Sequence, residues 1–190
     1  ERDLLAELRM KNYQTDNYFN LDFDKIQIDT AKNYVYLTSD DDPLPAAQGR
    51  DYLVGATKMA LEYLDRPANN RGFFLMVEGS QIDWGGHAND SEYIISEMIE
   101  FDEAIGEAFD FAKQDGETLV IVTADHETGG YAINPGSQMD SIVGAFTSDY
   151  HTAAMIPVFA YGPGAELFQG IYENNYIYFK MKAALGMAKK

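Results

Sequence analysis

The stretch FFLMVEGSQIDWGGHAND, Phe73 to Asp90, runs from an apolar segment of strand length into acids, a histidine and two adjacent glycines, and stops where a helical pattern begins. FFLMV (73–77) is a continuous apolar run, as expected of a strand buried on both faces. The same arrangement recurs twice downstream. TLVIVTA (118–124) reads as a second buried strand and IPVFAYG (156–162) as a third. Between the first two lies the clearest helix, 91–112, in which Ile94, Met98, Phe101, Ile105, Ala108, Phe109 and Ala112 form a stripe of period near 3.6. Strands alternating with helices predict an α/β protein: a three-layer α/β/α sandwich with a largely parallel sheet.

Working outward, Leu53, Ala56, Ala60, Leu61 and Leu64 recur at helical spacing over 49–64, and DRPANNRG closes that helix with turn residues. Residues 3–10 read as a short amphipathic helix with Leu4, Leu5 and Leu8 on one side. Residues 13–45 are polar and aromatic, with an alternating stretch near Tyr34–Leu37. SDDDPLPA is a turn, and the spacing of its aspartates matches no calcium loop. A last helix fits 176–188, with Tyr178, Met181 and Leu185 aligned. The chain reads as a single domain over 1–190, with 1–48 its least defined, peripheral segment.

At 190 residues the chain is long enough for one sizeable core, and 46% hydrophobic with 13% aromatic content suits a folded globule. Thirty-one acidic against fourteen basic residues give a net charge of -17. That balance argues against nucleic acid, which attracts lysine and arginine patches. An anionic substrate would require something cationic to overturn the local field, and a bound metal would do so. With no cysteine, disulfides and thiolate metal sites are excluded. No apolar run has the length of a membrane span, and the start, ERDLLAELRMKN, lacks the pattern of a signal peptide.

In open α/β sheets, ligands bind beyond the carboxyl ends of the strands. Here the first predicted strand ends in Glu78, with Asp83 and His87 soon after. The second delivers Asp125 and His126, and SDYHTAA before the third carries His151. All three histidines of the chain lie at such positions. Zinc takes imidazole nitrogen and carboxylate oxygen, and a catalytic zinc keeps three protein ligands and an open position. Asp83 and His87, four apart, share one face if their segment is helical. If Gly85 and Gly86 make it a loop, the backbone is still free to wrap an ion. His151 completes a three-ligand set with them, Asp125 and His126 suit a second site, and Glu78 is a hard oxygen donor of the kind magnesium takes. Asp90 reads as a helix cap. Trp84, beside these residues, suits either substrate-site lining or packing.

At these same residues the sequence resembles a known family. FFLMVEGSQIDWGGHAND, TLVIVTADHETGG, HTAAMIPVFAYGPGA and YFKMKAALG resemble the C-terminal half of alkaline phosphatases, in the family's order, from about Arg71 to the end. The resemblance implies that Asp83, His87 and His151 hold one catalytic zinc, Asp125 and His126 a second, and Glu78 a magnesium. It implies hydrolysis of phosphate monoesters through a covalent phosphoserine, with the zinc pair stabilising the attacking and leaving oxygens. A periplasmic or extracellular location is a further implication, and a sheet edge or apolar face left uncovered in a C-terminal portion is expected to favour self-association as a homodimer.

The family's nucleophilic serine, in its Asp-Ser-Ala/Gly context, has no match in these 190 residues. Neither do its aspartate bridging zinc and magnesium, its threonine ligand and its phosphate-binding arginine, and Ala153 stands where a glycine commonly follows the His-Thr pair. The chain therefore reads as the C-terminal portion of an alkaline phosphatase-like catalytic domain. It carries no catalytic nucleophile and is expected to be weak or inactive alone. Two alternatives stand beside this: another metal-dependent phosphodiesterase, phosphomutase or sulfatase of the same superfamily, or a non-catalytic metal-binding module.

Overall fold

A computed structural model describes residues 2–66 and 71–187. The helices are α1 (Leu4–Met10), α2 (Tyr52–Leu64), α3 (Gln81–His87), α4 (Ser91–Asp115) and α5 (Tyr176–Ala184). The strands are β1 (Gln14–Asn17), β2 (Tyr34–Leu37), β3 (Val120–Val122), β4 (Glu127–Thr128), β5 (Ala132–Ile133), β6 (Gly144–Ala145), β7 (His151–Thr152) and β8 (Phe159–Tyr161). The expected helices over 3–10, 49–64, 91–112 and 176–188 thus appear with shifted ends. Half of the DRPANNRG turn, residues 67–70, lies outside the described residues.

α4 is the spine, and its ends follow from local chemistry. Asp90, in extended conformation, accepts hydrogen bonds from the Glu92 and Tyr93 amides at 3.0 and 3.1 Å, as its reading as a cap requires. At the other end Gly116 adopts φ +73° and its amide donates to the Ala112 carbonyl, closing the last turn in a left-handed conformation that glycine adopts without strain. Ile94, Ala104 and Ala112 are buried along this helix. Leu61 of α2, which packs on α4, and Phe168, from the 3-10 turn at 165–168, complete the buried apolar set.

The α4 stripe departs from the expected one in an informative way. Met98 is 49% exposed, whereas Glu97 is 1% exposed and Glu100 is also buried. Both carboxylates reach the Arg50 guanidinium, which lies just before α2. Glu97 Oε1 also accepts from the Ala46 amide at 2.8 Å. Buried charge is tolerable only when paired and hydrogen-bonded, and this network ties the α2 entry to α4.

The single, largely parallel sheet gives way, among the described residues, to four two-stranded ladders. β1–β2 is parallel, while β3–β8, β4–β7 and β5–β6 are antiparallel. Residues 73–77 form no ladder. Their side chains alternate: Phe73, Leu75 and Val77 are half-buried, with Phe73 against Phe111 of α4, while Phe74 and Met76 are 62% and 76% exposed. An apolar run was expected to be covered on both faces, and here it is covered on one. Phe159 of β8 is exposed to the same extent as Phe74.

Candidate metal centre

α3 settles the spacing of Asp83 and His87. The segment is helical, so residues four apart stack on one face. That a helix forms across Gly85 and Gly86 reflects packing rather than propensity. A Cβ on Gly85 would sit 2.9 Å from the Ile94 backbone nitrogen, and one on Gly86 would sit 2.8 Å from the Thr128 carbonyl. Only glycine lets α3 approach both α4 and β4 this closely.

The approach brings three segments together. Asp83 Oδ1 lies 3.5 Å from His87 Nε2 and 3.6 Å from His151 Nε2. One donor atom from each of Asp83, His87 and His151 lies within 4.8 Å of the others. His126 joins from the next loop, its ring stacked on His151 at 3.6 Å between centroids and 20° between planes. His126 Nε2 is 3.3 Å from Asp125 Oδ2. Tyr150 also stacks on His151, at 4.8 Å between centroids and 25° between planes, and meets His87 edge-on. Asp83 and the three rings are each about a third exposed, so the cluster is open to solvent on one side.

These separations can be tested against an ion. Ligand bonds of about 2.0–2.2 Å in tetrahedral geometry place donor atoms about 3.3–3.6 Å apart. The Asp83–His87, Asp83–His151 and Asp125–His126 separations all fall there, and imidazole with carboxylate is the donor chemistry zinc accepts. The residues fit the group.

Hydrogen bonds orient the donors. His87 Nδ1 faces the Asp149 carbonyl at 2.8 Å, leaving Nε2 toward Asp83. His126 Nδ1 is 3.2 Å from Thr128 Oγ1, whose hydroxyl donates to Asp83 Oδ1. Thr128 thereby links the two donor groups. Neither Thr128 nor the Asp149 carbonyl stood out in the sequence. The only signal was Thr128's place two residues after His126.

The remaining expected residues sit differently. Asp125 is paired with His126 but its side chain is 84% exposed. Glu78 is exposed, and no hydrogen bond or ion pair joins it to the cluster. Trp84 follows Asp83 on α3 and is 36% exposed. A cavity of about 430 Å³, lined by Arg50, Glu100 and Glu103 among others, lies along α2 and α4 and includes none of the histidines.

An α/β chain that gathers imidazoles and carboxylates from a short helix, a loop and a two-residue strand is the class these observations define. Comparison gives the family. The alkaline phosphatase family model matches residues 47–144 and 139–187, and the chain belongs to the alkaline phosphatase family. It is 36% identical over 152 residues to the alkaline phosphatase of Escherichia fergusonii, across 71% of this chain and 32% of that one. To alkaline phosphatase 3 of Bacillus subtilis it is 48% identical over 103 residues, across 54% of this chain and 21% of that one. The structure superposes on a variant of TAB5 alkaline phosphatase, with Mg bound in its M3 site, at a TM-score of 0.86 and 42% identity, covering 99% of this chain and 56% of that one. The fold is therefore an alkaline-phosphatase-like α/β fold. The chain spans about a third of the length of the Escherichia fergusonii relative and just over half of the TAB5 chain. Among the described residues, no helix is long and apolar enough to cross a membrane.

Proposed function

We propose that this chain is the metal-gripping part of a zinc-dependent phosphate monoester hydrolase. In this reading Asp83, His87 and His151 hold one zinc, Asp125 and His126 belong to a second zinc site, and Glu78 serves a magnesium. The observation that carries it is the convergence of Asp83, His87 and His151 within one ion's reach, with His126 stacked against them. Family membership and the magnesium in the TAB5 variant support the choice of divalent cations.

Divalent zinc in such a site supplies charge stabilisation for the attacking and leaving oxygens of an in-line phosphoryl displacement. The chain's own residues do the positioning. α3 presents Asp83 and His87 on one face, the Asp149 carbonyl holds the His87 ring, and Thr128 spaces Asp83 from His126. The open side of the cluster is where an ester phosphate would approach. Trp84 stands beside it as a candidate lining residue.

The reading includes a single-domain organisation in which 1–190 form the C-terminal portion of a three-layer α/β/α sandwich. It also includes a periplasmic or extracellular location and a homodimer, the latter measurable by sedimentation velocity. The 190 residues lack a match to the family's serine motif, so alone they should hydrolyse p-nitrophenyl phosphate weakly or not at all. The deciding experiment is a zinc titration by calorimetry on the wild type and the His87→Ala and His151→Ala variants. Tight binding that either substitution abolishes supports the reading, and binding indifferent to both histidines refutes it.

A further inference from the structure

We propose that Glu127 is a positioning residue that sets the spacing between His126 and His151. The inference rests on the metal reading above and deepens it. β4 and β7 are only two residues each, with Glu127 opposite Thr152 and Thr128 opposite His151. So short a ladder holds little by itself. The Glu127 carboxylate ties it together. Oε2 accepts from the Thr152 hydroxyl on the partner strand and from the Gly130 amide at 3.1 Å, and Oε1 accepts from the Tyr131 amide at 3.2 Å.

Each anchored point adjoins a donor ring. His126 immediately precedes Glu127, and His151 immediately precedes Thr152. The carboxylate therefore fixes, through the next residue along each strand, the two residues whose rings stack at 3.6 Å. Bonds to an ionised acceptor are roughly twice as strong as neutral ones, so Glu127 is better suited to this than an amide would be.

The turn after β4 is built to deliver its amides to that carboxylate. Gly129 and Gly130 take φ +88° and +58°, and the Gly129 carbonyl accepts from the Thr147 and Ser148 amides at 2.9 and 3.1 Å. The Gly129 amide in turn donates to the Tyr150 carbonyl, beside His151. Glu127 is not a ligand in this arrangement. Both its oxygens are occupied by donors, and it lies outside the group of converging metal-donor atoms found among the described residues.

The test uses the 190-residue chain and two measurements. The first needs no metal: a nuclear Overhauser contact between the imidazole protons of His126 and His151. The second is zinc affinity by competition with a chromophoric chelator. Glu127→Ala and Thr152→Val should abolish the ring contact and weaken zinc binding about 10- to 100-fold, the usual effect of losing a residue that orients ligands. Thr152→Ser, which keeps the hydroxyl, should retain both, and Glu127→Gln should fall between. Thr152→Val removes a single donor and decides the matter if Glu127→Ala fails to fold. A folded Glu127→Ala or Thr152→Val variant that keeps the ring contact overturns the proposal. A wild type that shows the ring contact yet does not bind zinc overturns the metal reading, while the Glu127 spacing role is still decided by the first measurement.

Discussion

His87 Nδ1 faces the backbone carbonyl of Asp149 at 2.8 Å. A carbonyl only accepts, so the hydrogen of the neutral ring belongs on Nδ1 and the lone pair on Nε2, the atom turned to Asp83. Nitrogen-15 spectra of the metal-free chain at a pH where the ring is neutral should show this tautomer at His87. His87→Asn, whose amide nitrogen can take the Nδ1 position, should keep the bond to Asp149 and stay within about 1 kcal/mol of wild-type stability while losing zinc affinity. His87→Ala should lose both. A spectrum with the hydrogen on Nε2 would contradict the assignment.

Metal removal should register as lost stability, because an ion gripped by Asp83 and His87 of α3 and His151 of β7 binds the folded chain and not the unfolded one. Free zinc at 100 times its dissociation constant is expected to add about 2.7 kcal/mol. For a chain of this size that is a rise of about 5–10 °C in Tm. Chelation with EDTA should reverse it. His151→Ala should remove the first site's share of the zinc-dependent rise, whereas His126→Ala should spare the first site and reduce the zinc stoichiometry from two to one. Differential scanning calorimetry with a matched zinc titration reads both outcomes.

How much of this was legible in the sequence depends on the range of the forces involved. The α4 cap at Asp90 and the stop at Gly116 are local, and the sequence reading of the cap agrees with its two hydrogen bonds. The grouping of Asp83, His87 and His151 was readable because loops after extended segments tend to gather at one edge. α3 was ambiguous, since two glycines argue against a helix unless the neighbours leave no room for a Cβ, and the neighbours are distant in sequence. Nothing in the sequence around Glu97 and Glu100 marks them as buried, because their partner, Arg50, lies about fifty residues away. The run 73–77 says only that its side chains are apolar, whereas its one-sided burial depends on what packs against it.

The Arg50 network makes a stability prediction independent of any metal. Arg50→Met leaves two buried carboxylates facing each other without a cation and should cost about 3–5 kcal/mol in urea unfolding. Arg50→Lys should recover little. An ammonium cannot reproduce a guanidinium that bonds Glu100 through both Nε and Nη2 while also reaching Glu97. Replacing both glutamates by glutamine in the Arg50→Met background should restore part of the loss, because the unpaired charges are then gone. A cost under about 1 kcal/mol for Arg50→Met would show that the network does not hold α2 to α4.

Tyr93 ties the start of α3 to α4. Its hydroxyl donates to Gln81 Oε1 at 2.6 Å, and the buried Gln81 amide donates to the Pro43 carbonyl at 2.7 Å. Burial first, and then the charge of Glu97, hold the Tyr93 phenol above the ordinary tyrosine range; Arg50 partly opposes this, and Asp42 and Asp90 add to it. A group whose folded pKa is raised contributes stability that is fully present below its unfolded value of about 10 and lost as pH rises through the folded value. Tyr93→Phe should therefore cost about 1–3 kcal/mol at neutral pH, because Gln81 Oε1 is left buried without its donor. The gap between wild type and variant should narrow as pH climbs above 10. The difference between their ultraviolet phenolate titrations should show one tyrosine ionising later than the exposed ones. A Tyr93 that titrates with the exposed tyrosines, or a gap that does not change with pH, would mean that the Gln81 bond does not anchor α3 and that the metal-bearing face is held by the glycine contacts alone.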